Sequence, residues 1–331
     1  MQSLISIIIP CRNEEKFIKA CLDSLLLQDY PKENLEVFVI DGMSGDKTGE
    51  IIKKYSEKYP FIHYLQNQNK FTPFGLNIGI KNAKGNFIIR MDAHAEYEKD
   101  YISKCVKYSQ KYNVDNVGGT MKTMPKKNSI IAKSIALVLS HFLGAGSSVF
   151  RTGSKEPKLV DTVFGGCYKR EVFDRIGLFN EKLLRSQDLE FNLRLSKAGG
   201  KILLVPDIVS IYYPKSTLFE FFKHNITDGI WAIYPLKSIK APFKIRHYIP
   251  LLFVSGLIGL FFLSVFSFFF LPLFLFVLLL YLLVIFYFSW KISLEESNIK
   301  YLLVLPLAFF IRHIGYGFGS ILGVFKIIFN I

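Results

Sequence analysis

The chain has 331 residues, enough for one large domain with an appendage, and half of them are apolar. Lysine and arginine outnumber aspartate and glutamate by 41 to 27, a formal charge of +14, which suits an anionic membrane surface, phosphorylated ligands or nucleic acid. Cys11, Cys21, Cys105 and Cys167 are scattered, with no Cys-x-x-Cys pair, and read as reduced thiols, which excludes a disulfide framework.

In chain order, residues 4–9 read as a buried strand. That stretch is too short for the apolar core of a signal peptide and has no basic segment before it, so residues 1–247 are expected in the cytosol. Asn13 or the acids after it can start a helix over 14–27, with Ile18, Cys21, Leu22 and Leu25 on one face. A second strand spans 35–40. A polar turn follows, then a helix through Ile51, Ile52 and Tyr55. Residues 61–65 form a third strand, 76–83 a helix closed by Lys84 and Gly85, and 87–91 a further strand. Strands alternating with helices mean βαβ units and a mainly parallel sheet, an α/β fold.

Three polar turns follow three of these strands, and open α/β sheets bind ligands at the carboxyl ends of their strands. The first holds Pro10, Cys11, Arg12, Asn13 and Glu14. It can contact a nucleotide, or simply cap a helix whose first turn is acidic. The second starts at Asp41, whose carboxylate can accept hydrogen bonds from a base or ribose, or merely cap its turn. The third is Asp92-Ala93-His94, a carboxylate and an imidazole able to hold a divalent ion and, through it, a phosphate. Neither a G-x-G-x-x-G nor a G-x-x-x-x-G-K-[ST] pattern follows the first strand, against dinucleotide and P-loop binding.

Later segments leave alternatives open. Residues 129–150, apolar and rich in glycine and serine, read as a mobile flap, a membrane-facing helix near an acceptor, or a buried core helix. Gly165 and Gly166 either permit close backbone approach to a sugar or form a turn. Residues 186–197 fit an amphipathic helix with an acidic first turn. Asp188 and Glu190, two apart, point to different sides of it, so one of them faces a substrate. His224, Asp228, Gly229 and Trp231 precede a basic stretch, where Trp231 touches an acceptor sugar or anchors at an interface.

Residues 215–247 carry Lys215, Lys223, Lys237, Lys240, Lys244 and Arg246, a cluster that marks the cytoplasmic side of a membrane. From Tyr248 to Trp290, 43 residues contain no Asp, Glu, Lys or Arg, and a helix needs about 20 to cross a bilayer. Two spans are expected, about 248–269 and 272–290, with Tyr248, Tyr287 and Trp290 as interfacial aromatics. A third, less regular segment is expected over 301–325. It holds Pro306, Arg312 and His313, the last two too costly to face lipid. The chain thus divides into a cytosolic domain (1–214), a basic interfacial segment (215–247) and a membrane region (248–331), multi-pass in the cell's inner (plasma) membrane.

Taken together, the motifs resemble those of family 2 glycosyltransferases with the GT-A fold. They are Ile7 to Glu15 (IIIPCRNEE), Val39 to Thr48 (VIDGMSGDKT), Asn77 to Gly85, Ile88 to His94 (IIRMDAH), Phe164 to Phe173, Ile176 to Phe179 and Ser186 to Glu190. They occur in the family's order over roughly the first 230 residues, and the tail is similar to that of bacterial exopolysaccharide transferases of the succinoglycan type. The resemblance implies a Rossmann-like GT-A catalytic domain followed by transmembrane helices. Pro10, Arg12, Glu14 and Asp41 would line the base and ribose of a nucleotide-sugar donor. Asp92, Ala93 and His94 would form the metal–diphosphate motif, with Mn²⁺ or Mg²⁺ on Asp92 and His94. Asp188 would be the catalytic base, with Gly165, Gly166, Gln187 and Trp231 toward the acceptor. The family usually has a second Asp where His94 stands, and imidazole suits Mn²⁺ better than Mg²⁺. Gly42 replaces another frequent Asp. No Gln-x-x-Arg-Trp pattern surrounds Trp231, which implies addition of one sugar rather than a polymer.

The implied function is inverting sugar transfer from a nucleotide-sugar to a lipid-linked, undecaprenyl-type acceptor at the cytoplasmic membrane face. A polyprenyl phosphate acceptor, as in dolichyl-phosphate mannose synthases, is the alternative within the class. A transport or regulatory subunit with a nucleotide-binding domain is the alternative outside it, although spans bare of ionisable groups make a poor transport path. The basic residues concentrate near the membrane, and no nucleic-acid recognition motif stands out, so no nucleic-acid partner is expected.

Overall fold

The structure is a computed structural model that describes residues 2–237 and 247–329. Lys240, Lys244 and Arg246 of the basic cluster lie outside the described residues. The chain forms two compact units, one of residues 1–122 and 149–212, the other of 123–148 and 213–331.

The first half of the first unit follows the expected alternation. It runs β1 (Ile5–Cys11), α1 (Ile18–Leu26), β2 (Leu35–Asp41), α2 (Thr48–Lys58), β3 (Ile62–Gln66), α3 (Thr72–Asn82), β4 (Phe87–Arg90), β5 (Ala95–Tyr97), α4 (Tyr101–Tyr112) and β6 (Asn116–Thr123). The chain then enters the second unit as α5 (Ile130–Ser140) and α6 (Phe142–Ala145). It returns as α7 (Val149–Thr152), β7 (Lys158–Leu159), β8 (Cys167–Lys169), α8 (Glu171–Ile176), α9 (Gln187–Lys197) and β9 (Ile202–Tyr212). It ends as α10 (Leu218–Ile233), α11 (Ile249–Phe266), α12 (Leu271–Glu295) and α13 (Leu305–Ile328).

The sheet order is β3-β2-β1-β4-β8-β6-β9-β5, with β7 also on β9. Its β3-β2-β1-β4 half is parallel, while β8, β5 and β7 pair antiparallel to their neighbours. The side chains of β1 alternate between two cores, as strand geometry requires. Ile5, Ile7 and Ile9 pack with α1, α2 and α4 residues such as Leu22, Ile52 and Ile102. Ile8 packs with α3, α8 and α9 residues such as Leu76, Phe173 and Phe191. The result is a sheet with helices on both faces.

Register sets the site's position. Cys11 pairs with Asp41 and Asp41 with Gln66, so three strands end level. Arg90, the last residue of β4, pairs with Ile8, so β4 stops short of β1, and residues 91–94 turn beside the open end of β1. Pro10 lies past the last β4 pair, where β1 is bonded on one side only and tolerates a residue without an N–H.

The second unit contains three helices long and apolar enough to cross a membrane, over Ile249–Phe266, Phe268–Glu295 and Leu305–Ile328. The third was expected to be less regular but is one continuous helix. Pro306 sits in its first turn, where a missing N–H costs nothing. Its glycines serve close packing instead: a Cβ on Gly319 would lie 2.1 Å from the Ile226 carbonyl of α10, and one on Gly229 would lie 2.0 Å from the Tyr316 carbonyl. Helix α5 buries Ile135, Val138 and Leu139 against Phe221, Ile285, Leu305 and Phe309. Residues 123–148 therefore belong with the long apolar helices of the second unit, although they lie within 1–214 in sequence.

Polar residues of α13 are turned onto protein partners, as would be required of a helix that lies in lipid. Arg312 Nε donates to the Gly144 carbonyl at 2.9 Å, its Nη1 donates to Asn225, and Asp228 lies 3.6 Å away. His313 Nε2 is 2.9 Å from the Leu143 carbonyl, so Nε2 carries the proton and Nδ1 accepts from the Tyr281 hydroxyl at 3.2 Å.

Candidate active site

The turns after β1 and β2 are laced together. Asn13 N–H donates to Ser44 Oγ at 2.8 Å, and Gly45 N–H donates back to Asn13 Oδ1 at 2.9 Å. Glu14 N–H donates to Thr48 Oγ1 at 2.7 Å. These polar groups do not cap α1, whose N-cap is Phe17 with no side-chain bond; they hold one loop to the other. Asn13 and Met43 both take positive φ, 56°, to make the turns. Asp41 is 4% exposed, and its Oδ1 accepts from the Ser44 hydroxyl at 2.5 Å and the Ser44 N–H at 3.1 Å. A Cβ on Gly42 would lie 2.6 Å from the Lys70 carbonyl, so the local backbone of this chain leaves no room there for a side chain. Arg12 is exposed beside it.

At the end of β4, Arg90 is 9% exposed, and its Nη2 donates to Asp92 Oδ1 at 3.1 Å. The Asp92 N–H donates to the Tyr97 hydroxyl at 2.7 Å. Burial pushes the Asp92 carboxyl up, but Arg90 and then His94 outweigh it and hold the group below the usual carboxylate range. Burial alone would lower the Arg90 pKa; Asp92 and Asp188 reverse that and hold the guanidinium charged. Ala93 is buried beneath the turn. His94 Nδ1 lies 3.1 Å from Glu14 Oε1, and its ring meets the edges of Phe17 and Tyr212. The Arg151 guanidinium sits 5.5 Å from the centre of the Tyr212 ring.

Helix α9 separates its two acids as the two-residue spacing demands. Asp188 Oδ2 is 3.6 Å from Arg90 Nη1. Glu190 turns away and pairs bidentately with Arg194, at 2.6 and 3.0 Å. Arg194 in turn donates to the Ile176 and Leu178 carbonyls, so Glu190 ties α9 to the loop after α8. Four residues past Asp188, on the same face, Asn192 is fully buried. Its Oδ1 accepts from the Tyr168 hydroxyl at 3.1 Å and from Asn116 Nδ2 at 3.2 Å, while its Nδ2 donates to Thr162 Oγ1 at 3.0 Å. This network fixes the rotation of α9 and hence the direction of Asp188.

Gly165 (φ +66°) and Gly166 (φ +107°) are backbone requirements of the turn into β8. A Cβ on Gly165 would lie 2.7 Å from the Arg90 carbonyl, and the Arg90 N–H donates to the Gly166 carbonyl at 3.0 Å. The close approach allowed by Gly165 is to β4, directly behind Arg90, and that allowed by Gly166 is to the Asn116 side chain of β6. Gln187 is buried in the first turn of α9. Trp231 belongs to the second unit, its ring edge-on to Tyr234 at 5.4 Å.

Glu14, Asp41, Asp92, His94 and Asp188 thus share the open ends of the parallel strands and the helix beside them. Arg90, Tyr97, Tyr168 and Asn192 were not among the expected site residues. The signal for Arg90 was a charge at the end of an otherwise apolar strand. Among the described residues no three His, Cys, Asp or Glu side chains converge as a closed metal cage. Asp92 uses Oδ1 toward Arg90, and the His94 imidazole faces Glu14. A carboxylate and an imidazole are donors of a kind that a divalent cation accepts, two at most from these residues.

A model of glycosyl transferase family 2 matches residues 6–177. The chain is 32% identical to the dolichyl N-acetyl-alpha-D-glucosaminyl phosphate 3-beta-D-2,3-diacetamido-2,3-dideoxy-beta-D-glucuronosyltransferase of Methanococcus voltae, over 98% of each chain. It is 29% identical to the succinoglycan biosynthesis protein ExoA of Rhizobium meliloti, over 70% of this chain and 74% of that one. A solved mannosyltransferase from Pyrobaculum calidifontis, in complex with GDP-Man and Mn²⁺, superposes with a TM-score of 0.60 over 96% of this chain and 87% of that one. Identity there is 17%, a likeness of fold.

Proposed function

The chain belongs to glycosyl transferase family 2, and from that premise we propose that it moves a sugar, with inversion, from a nucleotide-sugar to a lipid-linked acceptor at the cytoplasmic face of a membrane. Family membership decides for the transferase over the transport reading. The observation that carries the proposal is the single guanidinium, Arg90, between Asp92 and Asp188 at the open end of the parallel strands.

In this reading Asp41 and the laced turns receive the base and ribose, with Pro10, Arg12 and Glu14 around them. Asp92 and His94 hold a divalent ion, with Mn²⁺ favoured over Mg²⁺ by the imidazole. When bound, the ion neutralises charge that develops on the diphosphate leaving group. Asp188 takes the proton of the attacking hydroxyl as the bond to the anomeric carbon forms.

A lipid-linked acceptor is supported from two sides. The Methanococcus voltae relative is named for transfer to a dolichyl N-acetylglucosaminyl phosphate. Three helices of this chain are long and apolar enough to cross a membrane. A sugar hydroxyl on a lipid phosphate needs a base, whereas a bare polyprenyl phosphate is already ionised and needs none. Asp188→Asn is the test. For a hydroxyl acceptor, transfer falls by about 10²–10⁴-fold, the range for loss of a general base, while titration calorimetry still detects the sugar-nucleotide. Full transfer by the variant removes Asp188 from the role and favours the phosphate acceptor. Calorimetry against a sugar-nucleotide panel, with Mn²⁺ and Mg²⁺ in parallel, identifies the donor; binding of none rejects the proposal.

A further inference from the structure

We propose that Arg90 is a positioning residue for the transfer step: it gathers Asp188 and Asp92 on one guanidinium and so sets the spacing between the base and the diphosphate-facing carboxylate. The inference rests on the assignment of Asp188 as base made above.

Three observations carry it. Arg90 is held from behind, because its N–H is bonded to Gly166 and its carbonyl lies against Gly165, whose lack of a side chain allows that contact. Its fork is divided, with Nη2 on Asp92 Oδ1 at 3.1 Å and Nη1 3.6 Å from Asp188 Oδ2, just beyond hydrogen-bond length. Its Nε and Nη1 are buried and have no hydrogen-bond acceptor among the described residues. A guanidinium serving only as a buried counter-ion would spend those donors, since buried polar groups are nearly always bonded. Of the two, Nη1 faces a base whose backbone is fixed by the Asn192–Tyr168–Asn116 network and whose side chain is 34% exposed. A small rotation of the Asp188 carboxylate brings Oδ2 onto Nη1. Lysine, with a single point charge, cannot span both acids.

The test is a double-mutant cycle on the full chain in detergent micelles or nanodiscs, with UDP plus Mn²⁺ and GDP plus Mn²⁺ as calorimetric probes. We expect Arg90→Met to lower kcat by about 30-fold or more, while the affinity for whichever nucleotide the wild type binds changes by less than about threefold. Arg90→Lys should recover part of the rate. In the Asp188→Asn background, Arg90→Met should slow the enzyme by less than about twofold further, because residues acting as a unit are not additive. Full kcat in Arg90→Met overturns the inference. So does multiplicative loss in the double variant, or a loss of nucleotide affinity that matches the loss of rate. If Arg90→Met fails to fold, Arg90→Lys, which keeps the charge, runs the same cycle under the same criteria. Full transfer by Asp188→Asn alone overturns the base assignment and this inference together. An inactive Asp188→Asn beside a fully active Arg90→Met overturns this inference only.

Discussion

His94 stands where the family usually places an aspartate, and its partner in the structure is Glu14 at 3.1 Å. The pair joins the first polar turn to the third, which no local pattern announces, because the two residues are 80 positions apart. If His94 is a metal ligand, His94→Asp should keep activity and shift preference from Mn²⁺ toward Mg²⁺, read as the ratio of nucleotide affinities with the two ions. An unchanged ratio excludes a ligand role. At this scale the sequence was informative about residue types and silent about partners. The placement of Asp41 and Asp92 at strand ends was legible because an acid after a strand is a local pattern, whereas Asp188 was singled out only by the family resemblance, since an acid in the first turn of a helix is equally an ordinary cap. Arg90 was overlooked because its meaning depends on Asp188, brought beside it by the antiparallel half of the sheet. Gly42 is a different case: it reads as a departure from the family until the Lys70 carbonyl is seen to occupy the space of a side chain.

Among elements, α9 and α13 show how far periodicity reaches. The amphipathic pattern over 186–197 gave α9 nearly to its ends, and the two-residue spacing of Asp188 and Glu190 gave their opposite directions. Which acid faces the site is fixed by Arg194 and Asn192, partners that periodicity cannot supply. For α13, proline, arginine and several glycines suggested an irregular segment. In membrane helices small residues let backbones approach, and polar side chains bond between helices. The glycine face lies on α10, and Arg312 reaches the Gly144 carbonyl and Asn225. Gly319→Leu places atoms where the Ile226 carbonyl already lies, so it should destabilise the second unit by about 1–3 kcal/mol or more. The measurement is thermal unfolding in detergent, with Gly256→Leu, which meets open space, as the control. Equal melting of the two variants would mean that α10 does not pack on α13 as described.

At the scale of the whole molecule, hydropathy located the long apolar helices and strand–helix alternation the sheet, because both are patterns along the chain. What a linear reading missed is that the catalytic unit is not one continuous stretch. Residues 123–148 leave it after β6, pack with helices of the second unit, and return at α7. A boundary at 214 is therefore an incomplete cut. Truncation to 1–214 should yield aggregated protein, since Ile135, Val138 and Leu139 lose the helices that cover them. Replacing 123–148 by a short Gly/Ser linker in the same truncation should raise the soluble fraction after ultracentrifugation. A soluble, monodisperse 1–214 would show that this segment finds cover elsewhere.

The same excursion has a consequence for biogenesis. A ribosome adds about 5–20 residues per second. Helix α5 is therefore synthesised seconds before the chain that will cover it, and the sheet strands β7 to β9 are made in that interval. The nascent chain must carry an apolar helix through a period when its partners do not yet exist. Yield of this protein should then depend less on the stability of its finished fold than on how promptly the late helices reach a bilayer.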